Sequence, residues 1–139
     1  MGGGAGEMIG NTRVPTPGSN EGDAHGGLNL APAGRWWDDS RFAKVLNIDS
    51  NEKRRMDVVF NANKTTLVTL YKNVQREEKQ LSKVTRGKNP EEMAIFQQID
   101  RVTQARGELE KAEAHYLLEI RKEMTAEQLS KLEDYLPQE

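Results

Sequence analysis

The sequence predicts an all-α fold: a long antiparallel helical hairpin with short flanking helices. Two apolar stripes and the break between them carry that prediction. Downstream, Ile95, Ile99, Val102, Leu109, Tyr116 and Ile120 recur in steps of three, four or seven, one narrow apolar face on a stretch otherwise filled with Arg, Lys, Glu and Gln. Upstream, Met56, Phe60, Asn63, Leu67, Leu70, Val74, Glu77, Leu81 and Val84 follow alternating steps of four and three, the heptad spacing of a left-handed coiled coil. Between them Gly87 suits a helix C-cap, and Asn89-Pro90 an N-cap and a first-turn proline. A helix with a single apolar stripe draws its stability from packing, so the two stripes are expected to cover each other.

In chain order, residues 1–34 come first and hold ten of the twelve glycines and three of the five prolines. Ordering such a stretch costs backbone entropy with almost no burial in return, so it reads as a disordered Gly/Pro-rich tail ahead of a helical domain over 35–139. His25, two residues after Asp23, reads there as a solvated linker histidine and not as a metal ligand. At RWWDDSRFAKVLNID the texture changes. Asp38 or Asp39 caps a short helix with Phe42, Val45 and Leu46 on one side. Trp36 and Trp37 are expected to plug one end of the hairpin or a subunit seam, the alternative being an aromatic surface offered to a partner.

The first long helix starts at Asp49, where Asp49 and Glu52 have capping-box spacing. About 37 residues at ~1.5 Å each make a rod on the order of 55 Å. Asn63 and Glu77 interrupt its stripe, so they either set register across the seam or mark a part open to water. In the second long helix the small residues Ala105, Gly107 and Ala112 allow another backbone to approach closely. Thr125 then caps a last short helix carrying Leu129, Leu132 and Tyr135, with Gln128 reaching back and Pro137 stopping it.

Composition excludes several functions. With 35% hydrophobic and 30% charged residues in 139, the chain has little material for a deep pocket. It has no cysteine, hence no disulfide, thiolate site or cysteine nucleophile. From Arg35 onward there are 19 basic and 19 acidic residues, and the short basic groups Arg54-Arg55 and Arg86/Lys88 are diluted by acids, so no nucleic-acid partner is expected. No apolar run approaches the roughly 18 residues of a membrane span, and MGGGAGEMIG lacks the basic start and apolar segment of a signal peptide. GGGAG is not followed by the Lys-Ser/Thr of a phosphate loop, and the residue three before His115 is Ala112, not the glutamate of a di-iron bundle. Without a histidine or cysteine placed to activate a nucleophile, no enzyme and no cofactor is expected.

The order WWDDSRFAKVLNIDSNE, a long helix, then IDRVTQARGELEKAEAHYLLEIRKEMTAEQ, covering roughly Trp36 to Tyr135, resembles the Spy/CpxP family of bacterial envelope chaperones and the related periplasmic heavy-metal-resistance sensors. Met124-Thr125-Ala126-Glu127-Gln128 is a relaxed copy of that family's Leu-Thr-x-x-Gln signature. Ile48-Asp49-Ser50-Asn51-Glu52 stands where the first copy would, with Asp for Thr and Glu for Gln, changes that preserve capping chemistry. The resemblance implies a cradle-shaped antiparallel homodimer in the periplasm. It would act without ATP on unfolded protein clients, or sense metal or envelope stress with an envelope sensor partner.

A client-binding surface is expected at Met56, Val59, Phe60, Met93, Phe96 and Met124, adjoining Lys53, Arg55, Lys64, Arg101 and Arg121. Flexible methionines adapt to irregular apolar surface, and the basic residues attract acidic segments in a salt-dependent way. The weak metal candidate is His115 with Glu119 one turn on and Glu108 and Glu113 nearby; a single folded-region histidine reads better as a surface residue unless two subunits pool theirs. A purely structural coiled-coil adaptor is the third reading.

Overall fold

A computed structural model of the chain describes residues 28–136, and every regular element in it is helical. A 3-10 turn at Trp36–Asp38 leads into α1 (Ser40–Leu46), α2 (Ser50–Val84), α3 (Glu92–Lys122) and α4 (Ala126–Glu133). The Asp23–His25 pair and Pro137 lie outside the described residues. Within the stretch read as tail, residues 28–34 are described. Ala31 is buried, and Leu28 and Leu30 pack against the core.

The long helices α2 and α3 pack on each other, residues early in α2 meeting residues late in α3. Arg55 Nε donates to Glu123 Oε1 at 3.0 Å, the Phe60 ring meets Tyr116 edge-on, and Gln98 reaches Glu77. From α2, Met56, Phe60, Leu67 and Val74 fill the seam; from α3 come Val102, Ala105, Leu109, Tyr116 and Ile120, joined by Leu117. Heptad spacing places these faces as expected, with one correction at the start of α3. Ile99 is exposed and Ile95 half-buried, while Gln98 takes the seam position four residues before Val102. Its amide donates to both the Glu77 carbonyl (2.9 Å) and Glu77 Oε1 (2.8 Å), and these bonds offset the cost of burying it.

The polar seam positions of α2 therefore act in pairing. Glu77 takes Gln98, and Asn63 Nδ2 donates to Val59 O at 2.8 Å and to Glu119 Oε1 at 3.4 Å. Each contact ties one level of α2 to one level of α3, as buried polar pairs do in coiled coils. Gly107 is not used for close approach, since a Cβ added there would meet nothing within 4 Å. The turn between the long helices also differs from expectation by a residue or two. Thr85 is the C-cap of α2, its hydroxyl donating to Leu81 O (3.1 Å) and Ser82 O (3.0 Å), and Gly87 takes its positive φ two residues later. Glu91, not Asn89, is the N-cap of α3, without a side-chain cap bond.

At the opposite end an aromatic series closes the seam. Tyr135, Phe42, Trp36, Trp37, Phe60 and Tyr116 meet in successive edge-to-face contacts with centroids 5.5–6.4 Å apart. Such pairs are worth roughly 0.5–1.5 kcal/mol each beyond their burial. Both tryptophans are buried, which answers the question of a plug or an exposed surface in favour of the plug. Trp37 Nε1 donates to Asp57 Oδ1 at 2.8 Å, Asp57 also pairs with Arg35, and the Arg35 guanidinium lies 5.1 Å from the Phe60 centroid. Asp39 caps α1 by accepting from Arg41 N at 2.9 Å; Leu46 turns inward, whereas Val45 points to solvent, contrary to expectation.

Candidate functional site

The two capping segments are far apart in sequence and joined in the fold. Thr125 Oγ1 accepts from Gln128 N (3.1 Å) and Gln128 Oε1 accepts from Thr125 N (2.9 Å), a complete capping box. The remaining amide hydrogens of Gln128 go to the first capping segment: Nε2 donates to Leu46 O at 3.0 Å and to Glu52 Oε1 at 2.9 Å. One buried amide thus satisfies the start of α4, the end of α1 and the first turn of α2. Asp49 accepts from Glu52 N at 2.8 Å, but Glu52 does not reach back to complete a box of its own. Its carboxylate is the acceptor for Gln128 instead, with Oε2 buried and unpaired.

The residues expected to bind clients separate into two groups. Met56 and Phe60 are core residues, Met56 with no exposure at all, and neither presents a surface; Met124 is also mostly buried, and what it exposes lines a depression at the end of α3. The heptad position of Met56 and Phe60 sends them into the α2–α3 seam, while Met124 sits in the turn between α3 and α4. Val59, Lys53 and Lys64 are half-buried, with Val59 packed on the core; Arg55 and Arg101 are exposed, and Arg55 is held by Glu123. Met93 and Phe96 are the apolar members that face solvent, at 66% and 51% exposure, and Ile99 continues their row at three-residue spacing.

A second apolar surface lies at the other end of α3, where sequence spacing did not point. Leu118 is about half exposed and stands over a shallow depression of about 480 Å³ formed with Met124 and Leu129. His115, Glu119, Arg121 and Lys122 form its polar border. Arg121 is occupied: Nη1 donates to Leu30 O at 2.8 Å and Nη2 lies 3.7 Å from Glu133. Leu118 falls outside the heptad positions, and that misfit was its only sequence signal.

His115 is exposed, its Nε2 3.5 Å from Glu119 Oε1. Glu113 does not join it, because residues two apart lie on nearly opposite sides of a helix. Instead Glu113 turns into the seam, where it is 2% exposed with Oε2 unpaired. Burial raises its carboxyl from the ordinary 4.5 to about 8, and the negative charge of Glu110 adds to the rise. Burial likewise pushes the unpaired Tyr116 hydroxyl up, against the opposing influence of Arg35. Among the described residues no three His, Asp or Glu side chains converge as a metal site would require. None of the helices described is long and apolar enough to cross a membrane.

No protein family matches this chain, nor does any curated protein or solved structure.

Proposed function

We propose that the chain is an ATP-independent holding chaperone of the Spy/CpxP-like kind, an antiparallel helical hairpin that works as a homodimer in the periplasm and shelters unfolded or aggregation-prone clients. The observation that carries this reading is the exposed row of Met93, Phe96 and Ile99 on a helix whose core face is already filled. Large apolar side chains clustered in water mark a contact surface. Methionine and phenylalanine side by side combine adaptability with area, which suits partners of varied sequence. The long α2–α3 pair, whose buried apolar residues are spent on its own seam, fits a role in binding along its outer face.

The test is light scattering of a chemically unfolded client on dilution, without ATP and in chelator, at near-stoichiometric protein. Dose-dependent suppression that is lost in a folded Met93→Asp/Phe96→Asp variant supports the reading; unchanged aggregation across several clients refutes it. Metal or stress sensing is the second reading, favoured by the solvent-facing His115–Glu119 pair. Calorimetric titration with zinc, compared with His115→Ala, tests it.

A further inference from the structure

We propose that a second copy of the chain packs antiparallel along the outer face of α3, centred on Gly107, so that Leu118 of each copy joins Met93 and Phe96 of the other in one client seat. The proposal rests on the holding function above and names what completes its binding surface. About half a turn round α3 from the seam residues Ala105 and Leu109 runs a second line of residues. Phe96 stands eleven residues before Gly107 and Leu118 eleven after it, and eleven residues make about three turns, so the three share that line. Thr103 and Ala114 lie between them on it, and none of the five is buried. A Cβ at Gly107 would meet nothing within 4 Å, so the middle of the face is open. Half-exposed bulk at both ends with small residues between them leaves a face that a second helix can fill.

The face complements itself, which is what makes its occupant a second copy. A two-fold pairing brings residues at equal distances before and after its centre level with each other, and Phe96 comes level with Leu118. Asp100 and Lys111, on one side of the line, come within a turn of each other across the pair. Neither has an ion partner among the described residues, where the ion pairs of α3 run through Arg106, His115, Glu119 and Arg121. Glu110, on the other side, comes beside Thr103, so the carboxylates stay apart. A parallel pairing in register would set Asp100 on Asp100 and Lys111 on Lys111, so charge selects the antiparallel one, and the helix dipoles agree. Met93 and Ile99 stand about 60° to either side of Phe96. Both therefore stay at the rim, open to a client, and the second copy's Leu118 extends the apolar surface beside Met93.

Sedimentation equilibrium of the full chain, with circular dichroism to confirm that each variant is folded, tests this. The parent is expected to dimerise, and Leu118→Asp, at an exposed position, to weaken the dimer at least about tenfold. Lys111→Asp is expected to weaken it as well, and Asp100→Lys/Lys111→Asp to restore it, because the reversed pair attracts again. The chain has no cysteine, so single ones report proximity cleanly. Gly107→Cys is expected to form a covalent dimer on mild oxidation, whereas Gln75→Cys, exposed on α2, is not. In the aggregation assay Leu118→Asp is expected to require severalfold more protein for half-suppression, although Met93 and Phe96 are untouched.

A monomeric parent, a dimer indifferent to Leu118→Asp, equal crosslinking from positions 107 and 75, or a double charge reversal no tighter than the single one overturns the proposal. If a monomeric parent still suppresses aggregation, the pairing falls and the holding function stands. If the parent pairs as described yet suppresses nothing, the holding function falls and the shared seat falls with it.

Discussion

Replacing Glu113 by glutamine should stabilise the protein, and increasingly so as pH rises. The side chain is 2% exposed in the α2–α3 seam, one oxygen has no partner, and burial with Glu110 nearby moves its carboxyl from 4.5 to about 8. The folded chain therefore holds a proton through a window in which the unfolded chain has released it. Stability falls as pH rises from about 4.5 to about 8, and the full cost is present above that. At about 1.4 kcal/mol per pKa unit the difference amounts to roughly 3 kcal/mol by pH 7 and between 4 and 5 by pH 9. That is a large share of the 5–15 kcal/mol that typically separates folded from unfolded states. Glutamine keeps the shape and removes the ionisation. Urea unfolding followed by circular dichroism between about pH 5 and pH 9 should show the parent losing stability steadily and Glu113→Gln staying nearly level, the two converging at the acid end. Parallel curves across that window would refute the assignment of Glu113 to a dry seam.

Three further substitutions probe other parts of the fold. Gln128→Glu places a carboxylate against Glu52 and the Leu46 carbonyl and removes both donors; it should cost at least about 3 kcal/mol, read as a loss of thermal stability that is smaller at acid pH. Trp37→Phe deletes the hydrogen bond to Asp57 and part of the aromatic plug, and chemical denaturation should show a loss of about 2–4 kcal/mol. Gly107→Ala, mid-helix with open space around the new methyl, should gain about 1 kcal/mol and raise the melting temperature by a few degrees.

Helical periodicity and capping chemistry made much of this architecture legible from the residues. The α2 heptads placed Met56, Phe60, Leu67 and Val74 on one face, and the Asp49 and Thr125 caps marked helix starts that the structure keeps. The candidate surface was less legible for the same reason. Met56 and Phe60 carry the chemistry of a client-binding patch, yet their spacing is that of the seam, and packing outcompetes solvent exposure for such side chains. Leu118 breaks the apolar period of α3, and breaking the period is what leaves it exposed.

What the sequence by itself determined was local. Helical spacing fixed which residues share a face, and short-range hydrogen bonding fixed where helices start, because both depend only on neighbours within a turn or so of the chain. Only the tertiary structure decided what each face meets. It turned Gln98 into the seam ahead of Ile99, aimed the spare hydrogens of Gln128 at α1 and α2, and buried Glu113 without a partner. Those outcomes depend on contacts between residues tens of positions apart, where the energy of pairing or desolvation is set by the opposing helix and cannot be read from one strip of chain.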